Sequence, residues 1–134
     1  MLRFGGKMSD KAGEPIDAEI VVRNLVRQAT QRFGDSTVPL GDSAWIEVNG
    51  IDVILNTVRS QVFSPDAFIN LGIDPQQKSM LVVKSTNHFH AAFSPIASTI
   101  IYVSVDGPYP NNPVTNDYRY LSRDIWPRVQ HPHD

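Results

Sequence analysis

Lys84-Ser85-Thr86-Asn87-His88-Phe89 sets a fixed positive charge, two hydroxyls and an imidazole within one short segment. Lys84 can pair with an anion, Ser85 and Thr86 can donate or accept hydrogen bonds, and His88 can donate a hydrogen bond or move a proton near neutral pH. Such a set suits a carboxylate, a phosphate or the oxyanion that develops when a carbonyl is attacked. The same residues admit a plainer reading. Ser85, Thr86 or Asn87 caps a helix, Lys84 is the solvated end of a strand, and His88 covers the first helical turn. On a helix His90 lies about 200° around from His88, so one of the pair faces away from any cleft, and His88 is the expected inward member.

Other candidates stand alone. Arg59 and Gln61 can reach a ligand or simply be solvated. Gly5-Gly6-Lys7 lacks the rest of a phosphate-binding loop, so by itself it reads as a flexible lead-in. His131-Pro132-His133 has an H-x-H spacing, but at a proline-containing chain end disorder is the default, and no metal site is expected in this chain. With no cysteine there is no disulfide, thiolate metal site or thiol nucleophile, and the G-x-S-x-G, H-E-x-x-H and Walker patterns are absent.

The elements expected to carry these residues form an α/β domain with a mixed sheet of about five strands. Residues 1–15 read as a lead-in, and 16–26 alternate Ile16, Ala18, Ile20 and Val22 with Asp17, Glu19, Val21 and Arg23, the period of a half-buried strand. Residues 29–42, with Gly34, Pro39 and Gly41, read as a loop. Runs 44–48 and 51–55 flank Asn49-Gly50, the dipeptide suited to a type I′ hairpin turn. Ser64-Pro65-Asp66 opens a short helix that Gly72 stops, and Asp74-Pro75 marks a turn.

Met80-Leu81-Val82-Val83 and 99–105 read as strands buried on both faces, joined by a helix over 87–97 that Pro95 kinks or restarts. Together they make a βαβ unit with parallel strands, and two or three short helices in all. Lys84 and His88 would then sit at the carboxyl end of a strand and the start of a helix, where α/β sheets bind ligands. Residues 106–117 read as a surface loop, 118–126 as a segment packed over the edge, and 128–134 as a flexible tail.

A chain of 134 residues suits a single domain, 1–134. Its net charge of −2 provides no cationic field for nucleic acid, and no apolar run reaches the ~18–20 residues of a membrane span. Glycines and charge interrupt the start before a secretory h-region can form, so a soluble, cytoplasmic protein is expected.

Read together, Gly5-Gly6-Lys7, Val48-Asn49-Gly50-Ile51-Asp52-Val53-Ile54-Leu55, Leu71-Gly72-Ile73-Asp74-Pro75, Val83 to Phe89, Ala91 to Ala97 and Ile125-Trp126-Pro127 resemble the C-terminal domain of the MlrC (microcystinase C) family. The K-S-x-x-H-F segment followed by A-F-x-P-I-A is its most specific part, and the likeness runs from about Leu2 to Pro127. The resemblance implies a zinc-dependent peptidase or amidohydrolase in which an N-terminal domain, not represented here, supplies the zinc ligands and the C-terminal domain closes over the cleft. It maps its K-S-x-x-H segment onto Lys84, Ser85 and His88 and makes Lys84 and His88 the groups that steady the oxyanion or the substrate carboxylate; beside them Ser85, Thr86, Asn87, Arg59, Gln61 and Lys7 are the expected substrate contacts. The implied partners are that N-terminal domain and a small peptide or amide, and the isolated chain is expected to be inactive. Asp106-Gly107-Pro108, Arg123-Asp124-Ile125 and His90 differ from the commoner family versions and bear on peptide specificity. The alternatives are a stand-alone module that binds an anion or carboxylate without catalysis, and an interaction domain using apolar surface around Trp126 and the kinked helix.

Overall fold

Asn49 and Gly50 both take positive φ, 50° and 79°, and so close the type I′ hairpin that their side chains favour. The structure, a computed structural model, describes residues 1–7, 12–103, 114, 118–121 and 124–132. The chain divides into two compact units, one of residues 1–3 with 16–100 and the other of residues 4–15 with 101–134.

β1 (Leu2–Phe4) pairs with β2 (Ile16–Ala18), and in the first unit β3 (Val21–Phe33), β4 (Ser36–Val48) and β5 (Ile51–Asn56) form a separate antiparallel sheet in that order. The hairpin over 44–55 appears as expected, with Val48 opposite Ile51. Residues 29–42 are not a loop. They complete a second hairpin, in which Phe33 faces Ser36 across Gly34-Asp35. Gly34 alone of these two has positive φ, 59°, the pattern of a type II′ turn, which needs glycine only at its first position. Pro39 is tolerated because it lies outside the 43–48 stretch that β4 shares with β5. The expected strand 16–26 is split at Glu19-Ile20, and Val21, Val22 and Leu25 are exposed.

Two short helices, α1 (Asp66–Ile69) and α2 (His90–Phe93), and a 3-10 turn at Pro75–Gln77 complete this unit. Ser64 Oγ accepts from Asp66 N at the entry of α1. At its exit Gly72, φ 93°, sits where Gly72 N donates to Ile69 O and Ile73 N to Phe68 O, the paired bonds of a Schellman ending. Two amide side chains tie α1 and its exit to β3: Asn70 Nδ2 donates to Thr30 O at 2.7 Å, and Asn24 Nδ2 to Leu71 O at 2.8 Å. Ala29, Leu40 and Ala67 form a buried cluster with Val26, Val62 and Phe68 against it, and Phe68 meets Phe93 of α2 edge-on at 6.2 Å.

The βαβ unit is absent from the described residues. Residues 80–83 and 99–103 belong to no strand; Met80 is 80% exposed and Val82 85%, and Ile101, Tyr102 and Val103 are exposed as well. An apolar run becomes a buried strand only if a neighbouring strand satisfies its backbone, and neither run has one here. Among the described residues the expected mixed sheet is instead two separate sheets of five strands together, with little helix. Among the described residues no helix is long and apolar enough to cross a membrane.

In the second unit Gly6, φ 60°, lies so close to Gly13 O and Pro15 N that a Cβ there would fall 2.7 and 2.5 Å from them. Arg128 lies over the Tyr118 ring at 5.2 Å, and Trp126 is 73% exposed. Apart from Val114, the loop expected over 106–117 lies outside the described residues, as does His133.

Candidate functional site

The period of β3 brings Ala29 and Gln31 inward while Thr30 and Arg32 face solvent, so an uncharged polar side chain enters the core. Gln31 is 1% exposed and fully used. Its Nε2 donates to Gln61 O at 2.7 Å and Ser60 Oγ at 3.3 Å, and its Oε1 accepts from Phe63 N at 2.8 Å and Ser64 N at 3.4 Å. One buried amide therefore holds the irregular segment 60–64 against the sheet, replacing the ladder bonds that this segment lacks.

Arg32 and Phe33 then line an open cleft of about 670 Å³. Its walls come from the tip of the β3–β4 hairpin, from 63–66 with Ile69, from 74–76, and from His88 with residues around α2. Phe33 and Phe63 stack with centroids 4.5 Å apart, and the His88 ring stands nearly perpendicular to both, at 5.2 and 5.8 Å. Arg32 Nε meets Asp66 Oδ2 at 3.0 Å. The hydrogen bond from Arg32 holds the Asp66 carboxyl below its ordinary range against the opposing effect of burial, and the same bond raises Arg32.

A second group lies beside it. Gln61 Oε1 accepts from Ser85 Oγ at 3.1 Å, Thr86 N at 3.1 Å and Thr86 Oγ1 at 3.2 Å, and Val62 N donates to Lys84 O at 3.2 Å. Ser85, Thr86 and Gln61 are thus brought together, but they satisfy one another and hold the 84–86 segment in place. The Lys84 side chain is exposed and makes no ion pair among the described residues. Asn87 is exposed and accepts His90 N through its carbonyl, Arg59 is exposed, and Lys7 belongs to the second unit.

Of the expected site residues, only His88 lines the cleft; His90 does not. The positioning elements differ from expectation. No strand ends at Lys84, and α2 begins at His90 with only four residues, too few for an appreciable dipole at His88. Gln31, Arg32, Phe33 and Phe63 escaped the sequence reading. The available signal was Gly34-Asp35 between two Thr- and Val-containing runs, which marks a hairpin tip and would have placed Phe33 there.

The model of the MlrC C-terminus family matches residues 1–120. The chain belongs to this family. It is 32% identical to microcystinase C of Sphingomonas sp over 126 residues, which is 94% of this chain and 24% of that relative. The chain thus spans about a quarter of the relative's length. In this member of the MlrC C-terminus family, Lys84, Ser85 and His88 stand inside the matched region. Among the described residues no group of three or more His, Asp or Glu side chains is placed to hold a metal ion.

Proposed function

We propose that this chain is the substrate-facing C-terminal part of an MlrC-like zinc-dependent peptidase or amidohydrolase whose metal ligands lie in a preceding domain. Support comes from the family match together with the share of microcystinase C that the chain covers. That relative is named for acting on microcystin, and a peptide or small amide is the corresponding substrate class here. The observation that carries the reading is His88: its ring rests edge-on against Phe33 and Phe63 at a cleft wall and makes no hydrogen bond among the described residues. Its nitrogens are free to donate to a carbonyl oxygen or to move a proton. Lys84 adds an unpaired ammonium for a substrate carboxylate or a developing oxyanion, while Gln61, Ser85 and Thr86 hold its segment in place. Asn87 and Arg59 are assigned to substrate contacts.

Reconstitution tests this reading. This chain is combined with the N-terminal region of microcystinase C, and cleavage of linear peptide amides is followed. Activity should appear with the pair, and His88→Ala should lower kcat/KM by about 10²- to 10⁴-fold. A folded, associating pair whose activity is indifferent to both His88→Ala and Lys84→Ala would remove the proposed roles. The exposure of Met80, Val82 and Trp126 favours a second reading, an interaction module without catalysis, for which association without turnover is the signature.

A further inference from the structure

Phe33 ends β3 at the hairpin tip and keeps 43% of its surface exposed, although the chain's core lies close behind it. Its ring is not loose. Phe63 stacks on it at 28° between planes, and His88 crosses both at 87° and 84°. Three rings drawn from separate segments thus form one wall of a cleft whose other sides include Ile69, Ala92, Pro95 and Ile96. The volume, about 670 Å³, lies within the range of small-ligand sites, ~300–1,000 Å³.

Charge narrows the choice of occupant. Arg32 and Asp66 neutralise each other on this wall through three hydrogen bonds, and Asp74 uses Oδ1 to accept Gln76 N at 2.9 Å. Lys84, the cation suited to a carboxylate, does not line the cleft. A free anion therefore meets a neutral ion pair and an aspartate here, and among the described residues no Lys or Arg other than Arg32 lines the cleft, whereas an uncharged ring meets aromatic faces and aliphatic walls.

We propose that Phe33, Phe63 and His88 form a subsite for an apolar, preferentially aromatic, side chain of a peptide or amide ligand. The inference rests on the reading of this cleft as substrate-facing, and it makes Phe33 a specificity-determining residue. His88 then contacts the side chain with its ring and leaves a nitrogen for the neighbouring amide.

The test uses the 134-residue chain and aromatic NMR signals, with N-acetyl-phenylalanine amide, N-acetyl-leucine amide, N-acetyl-lysine amide and acetate as probes. The phenylalanine amide should shift the Phe33, Phe63 and His88 signals saturably, the leucine amide more weakly, and the other two not at all. Phe33→Ala should weaken the phenylalanine amide about fivefold to tenfold, and Phe33→Leu less, while Val82→Ala, exposed and outside the cleft, should leave it unchanged. Shifts with acetate alone, tighter binding of the lysine amide, or no shift with any probe would each overturn the subsite. The reconstitution experiment decides the substrate-facing reading separately, because turnover there does not depend on which side chain this wall prefers.

Discussion

Arg32 grips both oxygens of the Asp66 carboxylate: its Nε and backbone N–H lie 3.0 Å from Oδ2, and Nη2 lies 3.3 Å from Oδ1. The pair joins the end of β3 to the first residue of α1, and so fixes the mouth of the cleft.

The pH dependence follows from that grip. Asp66 is held below its ordinary value, chiefly by Arg32, so near its unfolded pKa the folded chain binds fewer protons than the unfolded one. Its stabilising contribution is complete above the unfolded value, about 3.9, and is lost as pH falls through the lower folded value. Asp66→Asn should therefore flatten the acid limb of a thermal-stability profile, with little change in its shape above about pH 6. Asp52, lowered by Lys78 and then by Trp45, adds to the same limb, so some acid sensitivity should persist in the variant. An unchanged acid limb in Asp66→Asn would show that the pair does not persist in solution.

Gln31→Leu keeps roughly the side-chain bulk and removes the four hydrogen bonds by which the buried amide holds 60–64. Leaving Phe63 N and Ser64 N without that acceptor should cost about 2–3 kcal/mol, read as a lower urea midpoint. The His88 signals should move as well, because Phe63 carries that ring. A midpoint within error of the parent would mean that water replaces the amide at no cost.

Gln61→Ala should speed hydrogen exchange at the Thr86 amide, and Gln61→Glu, which keeps the acceptor, should restore much of the protection. Equal protection in all three proteins would show that the 84–86 segment is held by something other than this side chain.

Leu71 and Val82 should respond in opposite ways to truncation. Leu71 is 1% exposed, so Leu71→Ala should cost about 2–5 kcal/mol, whereas Val82→Ala should stay within about 0.5 kcal/mol. A large loss at Val82 in the isolated chain would mean that its run is buried after all.

Metal analysis after dialysis should find no stoichiometric zinc on this chain. Zinc that survives replacement of both His131 and His133 by alanine would point to a ligand set that the described residues do not contain.

Much of the local structure was legible because its causes are local. Asn49-Gly50 accepts two positive φ angles, Gly72 accepts the exit of α1, and Asp74 caps the turn that follows through Gln76 N; each depends on a few adjacent residues. The family is legible for a similar reason, since K-S-x-x-H-F and its companions are read in order along the chain.

What only the tertiary structure decided is which distant groups meet. Residues 29–42 look like a loop by composition, yet pairing across Gly34-Asp35 makes them strands and sends Gln31 into the core. Met80 and Val82 have the side chains of a buried strand and lie exposed, because burial needs a neighbouring strand that no short stretch of sequence can specify. The surroundings of His88 have the same origin: Phe33, Phe63 and His88 meet only after the long hairpin forms and a buried amide draws 60–64 against it. Side-chain type and spacing determined that an imidazole capable of chemistry was present, while long-range pairing, whose energy depends on both partners at once, determined that its neighbours are two phenyl rings.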